Sequence, residues 1–303
     1  MTKLAANIKD SLNRFSKRPV LVKGEEVFTY SDLQKEIDGI VVTDVLRVPD
    51  SYEILSLAHI CAAILNGRTF TPFKDVTESS AAYVLQTSGT TGSPKEFGTS
   101  FEALDAFIDS FHSMGYEFSE NDSFLQMAEY RFDMSLISTL IPLTVGASIH
   151  QIEMRGIKTM EIIRTLQEKK TTVAILPPSA AKLLKTFEDE ITFPELRLTF
   201  FGAEKLDAKT VELWRKMAPN SKIVNLYGPS EVAIFSTYFE VDYPAVDPIP
   251  IGRPVKNVEA KISNGELLLS GPQVFAGYTN SMSQSIFNCT TNQSNCPRSC
   301  DIH

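Results

Sequence analysis

Basic charge is the first thing this sequence has little of: 29 Lys and Arg stand against 37 Asp and Glu, a formal net charge of −8 with a pI near 5.2. No overall basic field exists to attract a phosphate backbone or an anionic membrane, so neither nucleic acid nor a membrane surface is an expected partner. Long apolar runs are also missing. The longest, around Ile54 to Leu65, is interrupted by Ser56 and His59 and falls short of the about 20 residues that span a bilayer, so it reads as a buried helix. The opening stretch MTKLAANIKDSLNRFSKRPV is amphipathic and lacks the apolar core and small-residue cleavage site of a secretory signal, which makes the cytoplasm the expected compartment. Cysteine is scarce. Cys61 lies in the apolar helix, while Cys289, Cys296 and Cys300 crowd the end beside His303. Their spacing matches no C-x2-C pair and their flanks carry no hydrophobic pattern, so residues 288–303 read as an unstructured tail rather than a zinc site.

What is present is a globular composition. A chain of 303 residues that is 43% hydrophobic and 22% charged can bury a sizeable core in about two domains. Strand and helix patterns alternate. FEALDAFIDSFHSMG puts Phe101, Leu104, Phe107, Ile108 and Phe111 on one helical face, with Ser100 as N-cap and Gly115 as stop. MEIIRTLQEKK predicts a helix and TTVAILPP a buried strand; LRLTFFG, DAKTVELWRKMAP and KIVNLYG repeat the alternation. That rhythm predicts βαβ units and a mainly parallel sheet, with ligands at the carboxyl ends of the strands. Past residue 240, Pro244, Pro248, Pro250 and Pro254 interrupt the chain, and VEAKI and ELLLSG follow as short strands around the turn Ser263-Asn264-Gly265. The expected organisation is an α/β core over 1–240, a small β-rich subdomain over 241–287 and the tail.

Two loops carry candidate chemistry. LQTSGTTGSPKEFGTS, residues 85 to 100, follows an apolar strand and precedes the helix at Phe101, so its amides and hydroxyls would face an anion at a strand's carboxyl end. It is no Walker A loop, because Lys95 stands three residues after Gly92 and behind a proline. Alone it reads as readily as a linker. NLYGPSEVAIFST sets Tyr227, Gly228, Pro229, Ser230 and Glu231 after a strand, offering a flat face for a purine and a carboxylate for Mg²⁺. Alone it reads as an ordinary β-turn.

Together, the two loops resemble the phosphate loop and the Y-G-P-[TS]-E motif of the adenylate-forming, AMP-binding superfamily. FTYSDLQKEID, AAILNGRTFTPF, FFGAEKL, GRPVKNVEAKI and GELLLSGPQVFAGYTN resemble further motifs of that superfamily, in the family's order, from about residue 27 to about residue 287. RFDMSLI, residues 131 to 137, resembles the F-D-x-S motif of peptide-synthetase adenylation domains and D-alanine–carrier-protein ligases. The resemblance implies the N-terminal α/β domain of such an enzyme and a two-step reaction. A carboxylate attacks the α-phosphate of ATP, giving an acyl-adenylate and pyrophosphate, and a thiol of phosphopantetheine on a carrier protein, or of CoA, takes the acyl group. An acyl-CoA synthetase-like ligase is a related alternative.

By the same resemblance, Thr87, Ser88, Gly89, Thr90, Thr91, Gly92 and Lys95 would wrap the β- and γ-phosphates and Glu231 would support Mg²⁺, with Lys95, Thr91 and Glu231 forming the expected catalytic set. Tyr227, Gly228 and Ser230 with Gly202, Ala203 and Glu204 would surround the nucleotide. Asp133 would bind a substrate ammonium; the alternative is that it caps the following helix. Met134, Ile137, Ile175, Thr199, Phe201, Leu226, Ile234 and Phe235 would wall the side-chain pocket, which suits a small or apolar amino acid.

The sequence departs from the family pattern in three places. The segment between RTFTPF and AAYVLQTSG is shorter than usual, so a strand-helix piece is expected to be missing. Glu96 follows Lys95 where the family has glycine. After FAGYTNSMSQSIFN the expected W-Y-x-T-G-D-like motif, hinge and lysine-bearing C-terminal lid give way to CTTNQSNCPRSCDIH, which reads as a truncated or frame-shifted end. A catalytically impaired chain that binds ATP, AMP or an amino acid without turnover is therefore the second expectation.

Overall fold

Helices form where apolar residues recur every three to four positions behind a capping side chain. In the computed structural model, which describes residues 1–49, 53–76, 79–87, 95–153, 156–275 and 288–289, they are α1 (Lys3–Arg14), α2 (Tyr30–Asp38), α3 (Ile54–Leu65), α4 (Phe101–His112), α5 (Ser135–Val145), α6 (Lys158–Gln167), α7 (Pro178–Leu183) and α8 (Ala208–Met217). Thr2, Ser100 and Asp207 accept from Ala5, Ala103 and Thr210 backbone N–H groups, and Thr29 with Asp32 forms a reciprocal capping box on α2. The apolar run is the buried helix α3, with Cys61 inside it; burial pushes that thiol up to about 12 and leaves it inert. Among the described residues no helix is long and apolar enough to cross a membrane.

The strands are β1 (Pro19–Lys23), β2 (Glu26–Thr29), β3 (Val45–Arg47), β4 (Thr69–Thr71), β5 (Tyr83–Thr87), β6 (Lys95–Thr99), β7 (Ser123–Gln126), β8 (Ser148–Gln151), β9 (Val173–Leu176), β10 (Leu198–Phe201), β11 (Lys222–Tyr227), β12 (Thr237–Glu240), β13 (Arg253–Pro254), β14 (Glu259–Ser263), β15 (Glu266–Ser270) and β16 (Asn288–Cys289). A nine-stranded sheet runs β13-β12-β11-β10-β9-β7-β8-β1-β2. Its centre, from β11 through β1, is parallel, as the alternation of patterns predicts, and antiparallel strands close both edges. Strand β13, beyond residue 240, still belongs to this sheet. A four-stranded sheet, β3-β4-β5-β6, sits in the first third of the chain, and β14-β15-β16 makes a three-stranded sheet. The β14–β15 turn has Asn264 at φ 52° and Gly265 at φ 82°, the left-handed pair that an Asn-Gly hairpin supplies.

Pleating sends alternate residues of the large sheet to opposite faces. Val173, Ile175, Leu198, Phe200, Val224 and Leu226 enter a core shared with α1, α3, α4 and α5; Ala174, Leu176, Phe201 and Ile223 enter a second core with α6, α7 and α8. On the second face Trp214 lies beside Phe201 and Phe193 and donates from Nε1 to Thr199 Oγ1 at 2.8 Å.

Candidate active site at the carboxyl edge of the large sheet

Strands β7, β9, β10 and β11 are adjacent and parallel, so their carboxyl ends form one edge, and the segments that leave them build the site. Behind β7, the turn carrying Asp133 is fixed before α5 begins. Phe132 N–H donates to Glu129 O at 2.9 Å, Ser135 N–H to Phe132 O at 3.0 Å and Leu136 N–H to Asp133 O at 2.9 Å. Under it, Gln126 at the end of β7 is bonded on both sides of its amide: Ser138 Oγ donates to its Oε1 at 2.6 Å and its Nε2 donates to Thr139 Oγ1 at 3.2 Å. These buried bonds tie the end of β7 to the first turns of α5.

Asp133 does not cap α5. The residue before the helix is Met134, whose side chain makes no capping bond. The Asp133 carboxylate instead accepts from Met134 N–H and from the Ser230 hydroxyl, and Glu231 stands near enough to repel it. Burial pushes its pKa up to about 6, outweighing these hydrogen bonds and one from its own backbone, and the Glu231 charge adds to the rise. Asp133 is half-buried, and no ion pair of it is found among the described residues.

Ala203, Glu204, Tyr227 and Gly228, all expected around the nucleotide, line one cavity of about 300 Å³ at the ends of β10 and β11. That lies at the lower end of the roughly 300–1,000 Å³ typical of small-molecule sites. Lys205 and Asn225, within the quoted motifs but not singled out there, also line it, as do Ile249 and Ile251, which lie outside them. The last two come from the proline-rich return, where the alternation Pro248-Ile249-Pro250-Ile251 was the available signal. Gly228 is required: a Cβ there would stand 2.4 Å from Phe235 Cα and 2.7 Å from Ser236 N, because the chain folds back on β11 and Ser236 N–H reaches Tyr227 O at 2.8 Å. Gly202 leaves room for Met134, whose methyl would be 2.7 Å from an added Cβ, so the turn after β7 rests directly on the end of β10. Two non-glycine residues here are left-handed, Ala203 at φ 65° and Ile234 at φ 76°, each costing about 1–2 kcal/mol. Glu204 has a structural partner: its carboxylate accepts from Ser179 N–H at 3.0 Å and Ser179 Oγ at 2.8 Å, closing the first turn of α7.

The expected pocket wall divides. Met134, Ile137, Ile175, Leu226, Ile234 and Phe235 share one core. Thr199 and Phe201 do not join them, because strand alternation turns both to the opposite face, against Trp214. Phe200, in register with Ile175, takes that place; it packs on Phe111 at 5.2 Å, and Phe235 meets Phe107 at 5.7 Å and Phe111 at 6.0 Å. Phe107 and Phe111 were legible as the apolar face of α4 but not as neighbours of the site.

Of the expected phosphate loop, Ser88, Gly89, Thr90, Thr91 and Gly92 lie outside the described residues, and of Thr87 and Lys95 only the backbone is described. Those two pair across β5 and β6, so residues 88–94 connect an antiparallel hairpin at the carboxyl end of β5. The loop does not lead directly into α4. Five residues of β6 intervene, about 17 Å of extended chain, so the α4 N-terminus lies at the far end of that strand and its dipole cannot serve this loop.

A family model described as "AMP-binding enzyme" matches residues 40–279, and the chain belongs to that family. A plipastatin synthase polypeptide of Bacillus subtilis (strain 168) is 30% identical over 256 residues, covering 78% of this chain and 7% of that protein. D-alanine–D-alanyl carrier protein ligase of Streptococcus pyogenes serotype M3 (strain SSI-1) is 25% identical over 328 residues, covering 91% of this chain and 63% of the ligase. The chain thus spans less than two thirds of each of these relatives. Among solved structures, the Vibrio cholerae adenylation domain AlmE in complex with glycyl-adenosine-5'-phosphate superposes with a TM-score of 0.80 at 20% identity, covering 93% of this chain and 73% of that one. The fold is therefore that of an adenylation domain's N-terminal α/β part.

Proposed function

We propose that the chain binds ATP and an amino acid at the carboxyl edge of the nine-stranded sheet and joins them. The amino acid's carboxylate oxygen attacks the α-phosphorus, pyrophosphate leaves, and the aminoacyl-adenylate is then passed to a phosphopantetheine thiol on a carrier protein or to CoA. The observation that carries this is the meeting of Asp133 with Ser230 and Glu231 beside the cavity lined by Ala203, Tyr227 and Gly228. A substrate ammonium is the cation that would compensate Asp133. The Tyr227 ring and the Gly228 backbone suit a purine. Glu231 would hold Mg²⁺ by a single carboxylate together with phosphate oxygens, the donor set that ion favours. ATP supplies the activation of the carboxylate; the residues of this chain supply position and charge. Thr87, Thr91 and Lys95 remain the proposed phosphate contacts. The crowding of Phe200, Phe235, Phe107 and Phe111 supports a small side chain on the substrate. The similarity to a D-alanyl carrier protein ligase supports a carrier protein as acceptor.

A second reading is binding without turnover, in which Glu96 would lower the affinity for Mg·ATP. Gln86 Nε2 donates to it at 3.2 Å, and it adds a negative charge one residue from Lys95. ATP–pyrophosphate exchange across amino acids and short fatty acids, run beside calorimetric titration of Mg·ATP, separates the readings. Exchange stimulated by a small amino acid and abolished in Asp133→Ala is the expected result. Mg·ATP binding without exchange selects the second reading, exchange with fatty acids alone selects an acyl-CoA synthetase-like ligase, and neither binding nor exchange refutes all three.

A further inference from the structure

Gln273, just beyond β15, is fully buried yet lies far in sequence from every residue of the site. Its amide is used on both sides. Oε1 accepts from Ser110 Oγ of α4 at 2.6 Å, and Nε2 donates to Phe235 O at 3.1 Å and to Ala233 O at 3.4 Å. These two carbonyls flank Ile234, the β-branched residue held at φ 76°. The same stretch grips the other end of the loop: Phe275 N–H donates to Glu231 O at 2.9 Å, and Val232 bridges Val274. The segment from Glu231 to Phe235 is therefore lashed along its length to residues 273–275, while Gly228 lets its far end close back on β11.

An isolated chain would not hold Ile234 in a left-handed conformation; surrounding bonds must over-determine it. Phe235 N–H closes the turn around Ile234 on Ala233 O at 3.0 Å, and the two bonds from Gln273 brace that turn from outside. Releasing them lets Ile234 return to an ordinary conformation, which swings the Phe235 ring out of its edge contacts with Phe107 and Phe111 and shifts Glu231. We propose that Gln273 is a positioning residue that acts through the strained loop, setting the place of Phe235 in the side-chain pocket and of Glu231 at the phosphates. Its kinetic consequence rests on the adenylating function proposed above; its structural consequence does not.

Two variants and two kinds of readout test this. Gln273→Met keeps length and burial but removes all three hydrogen bonds. Asn257→Ala is the control, since Asn257 ties the same part of the chain to α4, through Ala106 O at 2.9 Å and Ser110 Oγ at 3.2 Å, without touching Ala233 or Phe235. In hydrogen–deuterium exchange, Gln273→Met is expected to speed exchange across residues 229–236 by about tenfold or more, with β9 and β10 unchanged. Asn257→Ala is expected to lower the melting temperature while leaving 229–236 protected. Equal protection of that loop in both variants, or uniform loss over the whole chain in Gln273→Met, overturns the proposal. If Gln273→Met does not fold, Ser110→Ala removes the bond that orients the amide along with the bonds from Asn257, of which Asn257→Ala removes that of the side chain separately; a smaller, local rise across 229–236 beyond that of Asn257→Ala is then expected and no such rise overturns it. In pyrophosphate exchange, Gln273→Met is expected to lose discrimination between small and large amino acids and to need more Mg²⁺, whereas Asn257→Ala retains both. A wild-type chain without pyrophosphate exchange would defeat the adenylating function and leave the strut to be decided by hydrogen exchange alone.

Discussion

Replacing Asp133 by asparagine should make the unliganded protein more stable near neutral pH, and the size of the effect follows from the site. The carboxyl titrates at about 6 in the folded chain, against an ordinary value of 3.8, chiefly because it is buried. A folded value raised above the unfolded one means that the folded chain holds the proton more tightly. The contribution is therefore fully present below about pH 4 and is lost as pH rises through 6. A gap of roughly two pH units corresponds to about 3 kcal/mol, at about 1.4 kcal/mol per unit. Asparagine forfeits part of the pairing with Ser230 and Met134, worth about 1 kcal/mol, leaving a gain of about 2 kcal/mol above pH 7. For a chain of this size that is several degrees in melting temperature. Scanning calorimetry of Asp133→Asn and the native chain at pH 4.5, 6 and 7.5 measures it, with the difference growing as pH rises. A native chain at least as stable as the variant at pH 7.5, or an offset independent of pH, would refute the view that Asp133 is a carboxylate without its cation.

Phe201→Ala should lower stability by about 3–5 kcal/mol without altering amino-acid selectivity, because its ring packs on Trp214 behind the sheet; a selectivity change in pyrophosphate exchange would restore it to the pocket. Phe235→Ala should instead widen selectivity toward larger amino acids, read in the same exchange panel. Gly228→Ala places a Cβ against the Phe235 backbone and should cost about 2–4 kcal/mol and abolish Mg·ATP binding by calorimetry; a tolerated alanine would contradict the close return on β11. Ala203→Gly relieves a left-handed alanine and should stabilise by about 0.5–1 kcal/mol in a thermal melt, with unchanged nucleotide affinity.

Legibility followed the range of the physical signal. Local signals were sufficient for the apolar period of α4 with its Ser100 cap, the Asn264-Gly265 turn and the β-branched runs of β9 to β11, because each is decided within a few residues. Ordered motifs were sufficient for the family and for Ala203, Glu204, Tyr227 and Gly228 in the lining of the cavity at the ends of β10 and β11. They failed where one residue decides which face a side chain joins: Thr199 and Phe201 sit in the expected strand, yet its pleat turns Phe200, not them, toward Ile175 and Phe235. They also failed between the phosphate loop and α4, where KEFGT is too short and too mixed to announce the strand β6.

Contacts made across long sequence separations left no local trace. Gln273 in GPQV reads as a turn residue, and Ser110 as one more hydroxyl on the polar side of an amphipathic helix; neither announces that 163 residues apart they share a hydrogen bond. The structure also shows the cost that such bonds must offset. Isoleucine stands at 234, where the backbone is left-handed and glycine or asparagine would be the easy choice. A β-branched residue persists in that conformation only under constraint, and here the Phe235 N–H bond to Ala233 O is braced by the amide of Gln273 bonded to the carbonyls on either side. The strain and the strut thus account for each other. Together they fix the one short segment that carries both the charge proposed for the metal and the ring proposed for selectivity.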